Sequence, residues 1–298
     1  MALFSICLIL ISSIFHAFWN ILTQTSKNSQ YFSGLKGIWI TFLAVLYFVI
    51  TGYPGHISGE LYFWAILSGL LHGLYILSLS RAYNTQDISY VYPIARSAPV
   101  FVPVCAYFLL GEQLTALMIL AIFVIMLSIY TLHFDGHLIR GFKNLFDAIL
   151  HRDLRWAFCT LALVVAYSLV DKRGMDVFFQ LAPDQEFRNG ATFFFLEAAI
   201  GFTLCNMYIF RVHPVREILS VWSLEWKKAL IAGVGTLMSY GIICVVLQYE
   251  KVSSVVAFRQ TSVLMVVFWG CWKMGEPFGR QRLFAGSLTV IGLGIMAW

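Results

Sequence analysis

The sequence predicts an all-α polytopic membrane protein, with ten transmembrane helices arranged as two inverted five-helix repeats. Three observations carry that fold class. The chain is 60% hydrophobic and 12% charged, with a mean hydropathy of +0.79, whereas soluble domains are about 45–50% apolar and about 25% charged. Its apolar runs are about 20 residues long and do not alternate, which fits helices crossing a hydrocarbon core and not barrel strands. The chain also repeats itself. Residues 81–129 and 245–293 align at an offset of 164, matching Gly111–Glu112 with Gly275–Glu276, Ser89 with Ser253 and Ala121 with Ala285.

Hydropathy sets the spans in order at 3–23, 34–52, 61–81, 88–110 and 114–132, then 155–171, 190–210, 228–248, 253–274 and 281–298. The division is five plus five. An odd number per half makes the second half enter the membrane upside down. The first repeat is therefore 1–132 and the second 155–298. The N-terminal run lacks a basic leader and reads as a retained first helix. Between the repeats, 133–154 places Leu138, Phe142, Leu145 and Ile149 at helical spacing, apart from Arg140, Lys143, Asn144 and Asp147. That is an amphipathic linker lying on the membrane surface, or else an unstructured one.

Charge and sulfur narrow the function classes. The net charge of +5 sits in loops beside spans, so nucleic acid is not an expected partner. Most Lys and Arg, Lys36 among them, fall on one face, against Lys172, Arg173, Arg188 and Lys251 on the other. The positive-inside rule then puts both termini outside. All six cysteines lie in apolar runs without a Cys-x-x-Cys pair, so they read as buried thiols, with no metal site and no cofactor expected.

Each repeat carries an arginine within an apolar span, Arg96 and Arg259, about 10–14 Å deep at 1.5 Å per residue. A centred arginine costs about 2.5–3.5 kcal/mol unless water, a carboxylate or substrate compensates. The guanidinium fork suits a carboxylate or phosphate, which makes both candidate substrate contacts. The alternative is structural: capping freed carbonyls, or pairing with Glu197. Pro93, Pro99 and Pro103 predict a broken helix around Arg96, with Tyr92 and Arg96 on one face. Glu197 reads as the deepest carboxylate, serving in proton coupling or in an ion pair. His16, with Trp19 and Asn20 on its face, and His72, with Ser68 and Tyr75, are further candidates for substrate contact or proton relay. Tyr240 joins them as a polar contact. Glu112 and Glu276 follow glycines at helix ends and read as architecture.

Three stretches resemble EamA-type members of the drug/metabolite transporter superfamily. They are HAFWN at 16–20, SRAYNTQDISYVYPIARSAPVFVPVCAYFLLGEQL at 80–114 and FRQTSVLMVVFWGCWKMGEPFGRQRL at 258–283. The resemblance implies two inverted five-helix bundles around a cavity, with the fifth and tenth helices at its edge. Such proteins are usually drawn with cytoplasmic termini, the reverse of the charge count.

The expected function is a secondary transporter of a small metabolite by alternating access, exporting an anionic or zwitterionic solute such as an amino acid, organic acid or phosphonate. No Walker A, H-E-x-x-H or G-x-S-x-G motif occurs, so neither ATP hydrolysis nor an enzyme is expected. The alternative is efflux of cationic or apolar compounds, with the arginines structural. Expected partners are the solute, the lipid of a plasma (inner) membrane and coupling protons. The duplication supplies both orientations in one chain, so a monomer or weak homodimer is expected.

Overall fold

Lipid offers backbone amides no partner, so each long apolar segment closes its own hydrogen bonds as a helix. The computed structural model describes residues 1–52, 57–85, 94–134, 137–141, 143, 154–265 and 280–297. Among them there is no strand. The helices are α1 (Leu3–Gln24), α2 (Ser29–Thr51), α3 (Gly59–Thr85), α4 (Ala98–Leu110), α5 (Ala116–His133), α6 (Arg155–Leu181), α7 (Glu186–Val212), α8 (Val215–Thr236), α9 (Ile242–Leu247), α10 (Val252–Phe258) and α11 (Arg280–Ala297). A π-helical turn, Leu237–Gly241, joins α8 to α9. Five helical stretches are long and apolar enough to cross a membrane: Leu3–Gln24, Ser29–Thr51, Gly59–Ala82, Glu186–Val212 and Val215–Leu247.

The first, third, fifth, seventh and tenth spans lie within a few residues of the hydropathy reading, the second starts at Ser29 instead of 34, and the fourth is broken at Arg96–Ser97. The sixth span, read as 155–171, continues to Leu181. Its apparent end, Asp171-Lys172-Arg173, lies inside α6. Lys172 pairs with Asp176 at 2.6 Å and donates to the Leu247 carbonyl at 2.8 Å, so the charges are satisfied without leaving the helix. The eighth span begins at Val215, not 228, because Ile218 and Val221 supply a buried face to its first turns. The ninth breaks after Phe258. Residues 138–141 of the linker are helical; Phe142, Leu145 and Ile149 lie outside the described residues, as do Gly275 and Glu276.

The chain forms two compact units, each drawing on both halves of the sequence. The first is Met1–Ser13, Ser78–Leu169 and Glu250–Trp298; the second is Ile14–Leu77 and Val170–Tyr249. In the first, α5 packs along α11. Ala121 and Ala285 are fully buried there, and Ser128 donates to the Ala285 carbonyl at 2.6 Å. Gly111 ends α4 at φ 70°, a left-handed conformation that glycine adopts without a Cβ penalty. Glu112 then reaches α10. Its carboxylate accepts from the backbone N–H of Val252 at 2.6 Å and of Ser253 at 3.3 Å, and from the Ser253 hydroxyl at 2.6 Å. This caps orphan amides of a helix start with a charge of the favourable sign.

In the second unit, α2 packs against α7 and α8. Phe32 and Leu35 meet Ala229 and Ala232, with Trp19, Trp39 and Trp222 around them. The α3–α7 contact is set by glycines at Gly69 and Gly73. A methyl group on Gly69 would sit 2.6 Å from the Glu197 carbonyl oxygen, and one on Gly73 3.0 Å from that of Gly201. A small-xxx-small pair of this kind lets helix backbones approach within a membrane. The outward face of α2 is apolar and exposed at Phe42, Val45, Val49 and Ile50, as a lipid-facing stripe requires.

Candidate functional site

The close α3–α7 approach brings Ser68 and His72, one turn apart on α3, against Glu197 on α7. Asp171 arrives from α6 and Tyr240 from the π turn. Asp171 is 0% exposed and Glu197 2%, so two carboxyl groups are shut away from water. The Ser68 hydroxyl stands between them, 2.5 Å from Asp171 Oδ1 and 2.6 Å from Glu197 Oε2. Tyr240 donates its phenol to Asp171 Oδ2.

A serine hydroxyl has one hydrogen to donate. Ser68 makes two short oxygen–oxygen contacts, and its own proton serves one of them. A proton on the facing carboxyl would complete the other. Two buried carboxyls bridged by one hydroxyl form a site able to hold a carboxyl proton, since like charges so close disfavour ionisation of both. His72 closes the group. Its Nδ1 lies 3.1 Å from the Ser68 carbonyl oxygen. The same Nδ1 lies 3.2 Å from the Ser68 hydroxyl, so it donates to the carbonyl in one tautomer and accepts from the hydroxyl in the other. Nδ1 is also 3.8 Å from Glu197, and Nε2 is 4.0 Å from Asp171. The Tyr240 ring meets the imidazole edge-on at 5.1 Å.

One ligand atom from each of His72, Asp171 and Glu197 lies within 4.8 Å of the others. One nitrogen and two carboxyl oxygens can hold protons or a small cation. The helical depths agree with a site inside the membrane. At 1.5 Å per residue, Ser68 is about 14 Å along α3, Glu197 about 16 Å along α7 and Asp171 about 24 Å along α6.

The structure gathers His72, Glu197 and Tyr240 with the Ser68 hydroxyl, which the sequence reading placed on the face of His72, and adds Asp171, which it left out. Asp171 is as fully buried as Glu197. A second group adjoins them. His16 lies 3.5 Å from the Ser239 hydroxyl and meets Trp19 edge-on at 5.2 Å. Asn20 turns back to donate to the His16 carbonyl at 2.7 Å. Tyr75 is half-buried on α3. Arg96 and Arg259 belong to the other unit. Both stand at helix breaks, Arg96 in the turn before α4 and Arg259 in the turn after α10. The prolines announced the first break; nothing in the sequence reading announced the second. Tyr92 lies outside the described residues.

Residues 3–134 match the model of the EamA-like transporter family. The match covers the first of the two repeats read from the sequence. That family is part of the drug/metabolite transporter superfamily, whose members are membrane transporters. A solved crystal structure superposes on 98% of this chain and 96% of its own length, with a TM-score of 0.74 at 12% identity. That likeness concerns the fold. No curated protein matches the sequence.

Proposed function

We propose that this EamA-like protein is a proton-coupled secondary transporter, not an enzyme, working by alternating access in the plasma (inner) membrane. Its cargo is a small anionic or zwitterionic solute, moved outward. The single observation that carries the coupling role is the Ser68 hydroxyl wedged between two buried carboxyls. A pair that shares one proton can take up or release another when its surroundings change, and intramembrane carboxyls serve proton relays in pumps and transporters. The repeat in the sequence, with Gly111–Glu112 matched by Gly275–Glu276, supports two inverted five-helix halves moving about a central site. Arg96 and Arg259, at matching breaks of the two halves, are the expected contacts for the anionic part of the solute.

The test uses protein reconstituted into liposomes enclosing a pH-sensitive dye. Amino acids, dicarboxylates and alkylphosphonates are added in turn. A cargo solute shifts the internal pH with wild type, and the shift disappears in Asp171→Asn and Glu197→Gln. Solute movement with full proton flux in both variants rejects the coupling role.

A second reading, efflux of cations, draws on the same carboxyls with Phe194 beside Tyr240. It requires tetraalkylammonium ions, not acids, to produce the proton signal.

A further inference from the structure

Lys36 is a charge that the sequence assigns to a loop face and the fold takes inside. It lies seven residues into α2 and is only 4% exposed. A lysine near a membrane boundary ordinarily extends its ammonium to the interface. Lys36 instead holds Nζ over the Trp19 ring, 3.8 Å from its centroid, with the Phe202 ring at 5.7 Å. Among the described residues no hydrogen bond or ion pair reaches Nζ.

An ammonium has three N–H donors. Aromatic faces attract its charge but accept weakly, so its donors are left over. Beside it, the Trp19 indole Nε1 is buried with no hydrogen-bond acceptor. Two neighbouring residues thus present a charged donor and a neutral donor, with no acceptor for either. Buried donors are normally satisfied, and exceptions mark a missing partner. The partner that matches one positive charge and two donors is an oxyanion.

We infer that Lys36 and Trp19 form a subsite for the carboxylate of the transported solute. This rests on the transporter reading above and adds a named group to it. The subsite is continuous with the carboxyl centre. Trp19 touches His16, His16 reaches Ser239 in the π turn, and the next residue, Tyr240, donates to Asp171. An anion arriving at Lys36 would sit at the far end of the chain of contacts that holds the proton.

The experiment is a thermal-shift titration in detergent, with acetate, succinate and L-alanine as probes and methylammonium as the cation control. A ligand that binds only the folded protein raises its apparent stability by mass action. Acids stabilise wild type and methylammonium does not. Lys36→Met weakens the acid midpoint about tenfold or more, the scale of a charge-assisted hydrogen bond. Trp19→Phe keeps the ring face, removes only the N–H and weakens the midpoint several-fold, which keeps the test decisive if Lys36→Met folds poorly. Acid midpoints unchanged in the variants overturn the subsite. Stabilisation by an anionic phospholipid and not by soluble acids also overturns it, making this a headgroup site. The two readings fail separately. Acid binding lost in the variants with no transport of any acid rejects the transporter reading alone. Transport intact with binding unchanged rejects the subsite alone.

Discussion

Tyr240, in the π turn between α8 and α9, hydrogen-bonds Asp171 in the interior of α6. A π turn carries an extra residue per turn, and such turns recur where a helix must aim a side chain at a site. Here the aimed side chain fixes one oxygen of a buried carboxyl. Tyr240→Phe removes that donor and keeps the ring beside His72. We expect a loss of about 1 kcal/mol, typical of a hydrogen bond between membrane helices, read as a lower midpoint of thermal unfolding in detergent.

A carboxyl proton held between Asp171 and Glu197 would have a spectroscopic signature. Infrared spectra of wild type in neutral buffer should show the carbonyl stretch of a protonated carboxylic acid. Asp171→Asn and Glu197→Gln should each diminish it, because removing one acid lets the other ionise beside Ser68. A band of undiminished intensity in both variants would assign the proton elsewhere.

Backbone contact at Gly69 leaves no room for a methyl group. Gly69→Ala must push α3 off α7, and we expect a cost of about 1–3 kcal/mol, as for overpacking elsewhere. Gly294→Ala is the control. It lies in α11 with open space at its Cβ position, so it should be neutral or stabilising by up to about 1 kcal/mol from helix propensity. Comparison of unfolding midpoints checks both.

Glu112 holds the first amides of α10. Glu112→Ala should cost about 1–3 kcal/mol by leaving buried donors unmet. Glu112→Gln keeps one acceptor oxygen and should fall between. Hydrogen exchange at Val252 and Ser253 should accelerate in the same order.

Hydropathy located the apolar helices because lipid-facing residues such as Phe42 and Val49 have nothing to hide behind. It failed where charge is satisfied inside the fold. Asp171-Lys172-Arg173 read as a helix end, since the sequence does not reveal Ser68 and Tyr240 waiting for the aspartate, or Asp176 and the Leu247 carbonyl waiting for the lysine. Asp176 stands at i+4 from Lys172 and was the available signal. Lys36 was missed likewise: its compensation is Trp19, seventeen positions away on another helix. These corrections remove Lys36, Lys172 and Arg173 from any loop-charge count of sidedness. His72, Glu197 and Tyr240 were legible one by one, as polar groups in apolar runs. Their convergence was not, because it depends on the closeness of α3 and α7. Gly69 and Gly73 stand four apart in the sequence, but only the fold shows what lies against them.

That closeness has a mechanical meaning. Oxygen atoms 2.5–2.6 Å apart tolerate little displacement, and here the spacing is governed by main chain resting on main chain, not by side chains that can swing to follow. A slide of α3 along α7 by the width of one atom would part Ser68 from Glu197. Proton occupancy and helix position would then change in a single stroke, like a latch released by its own bolt.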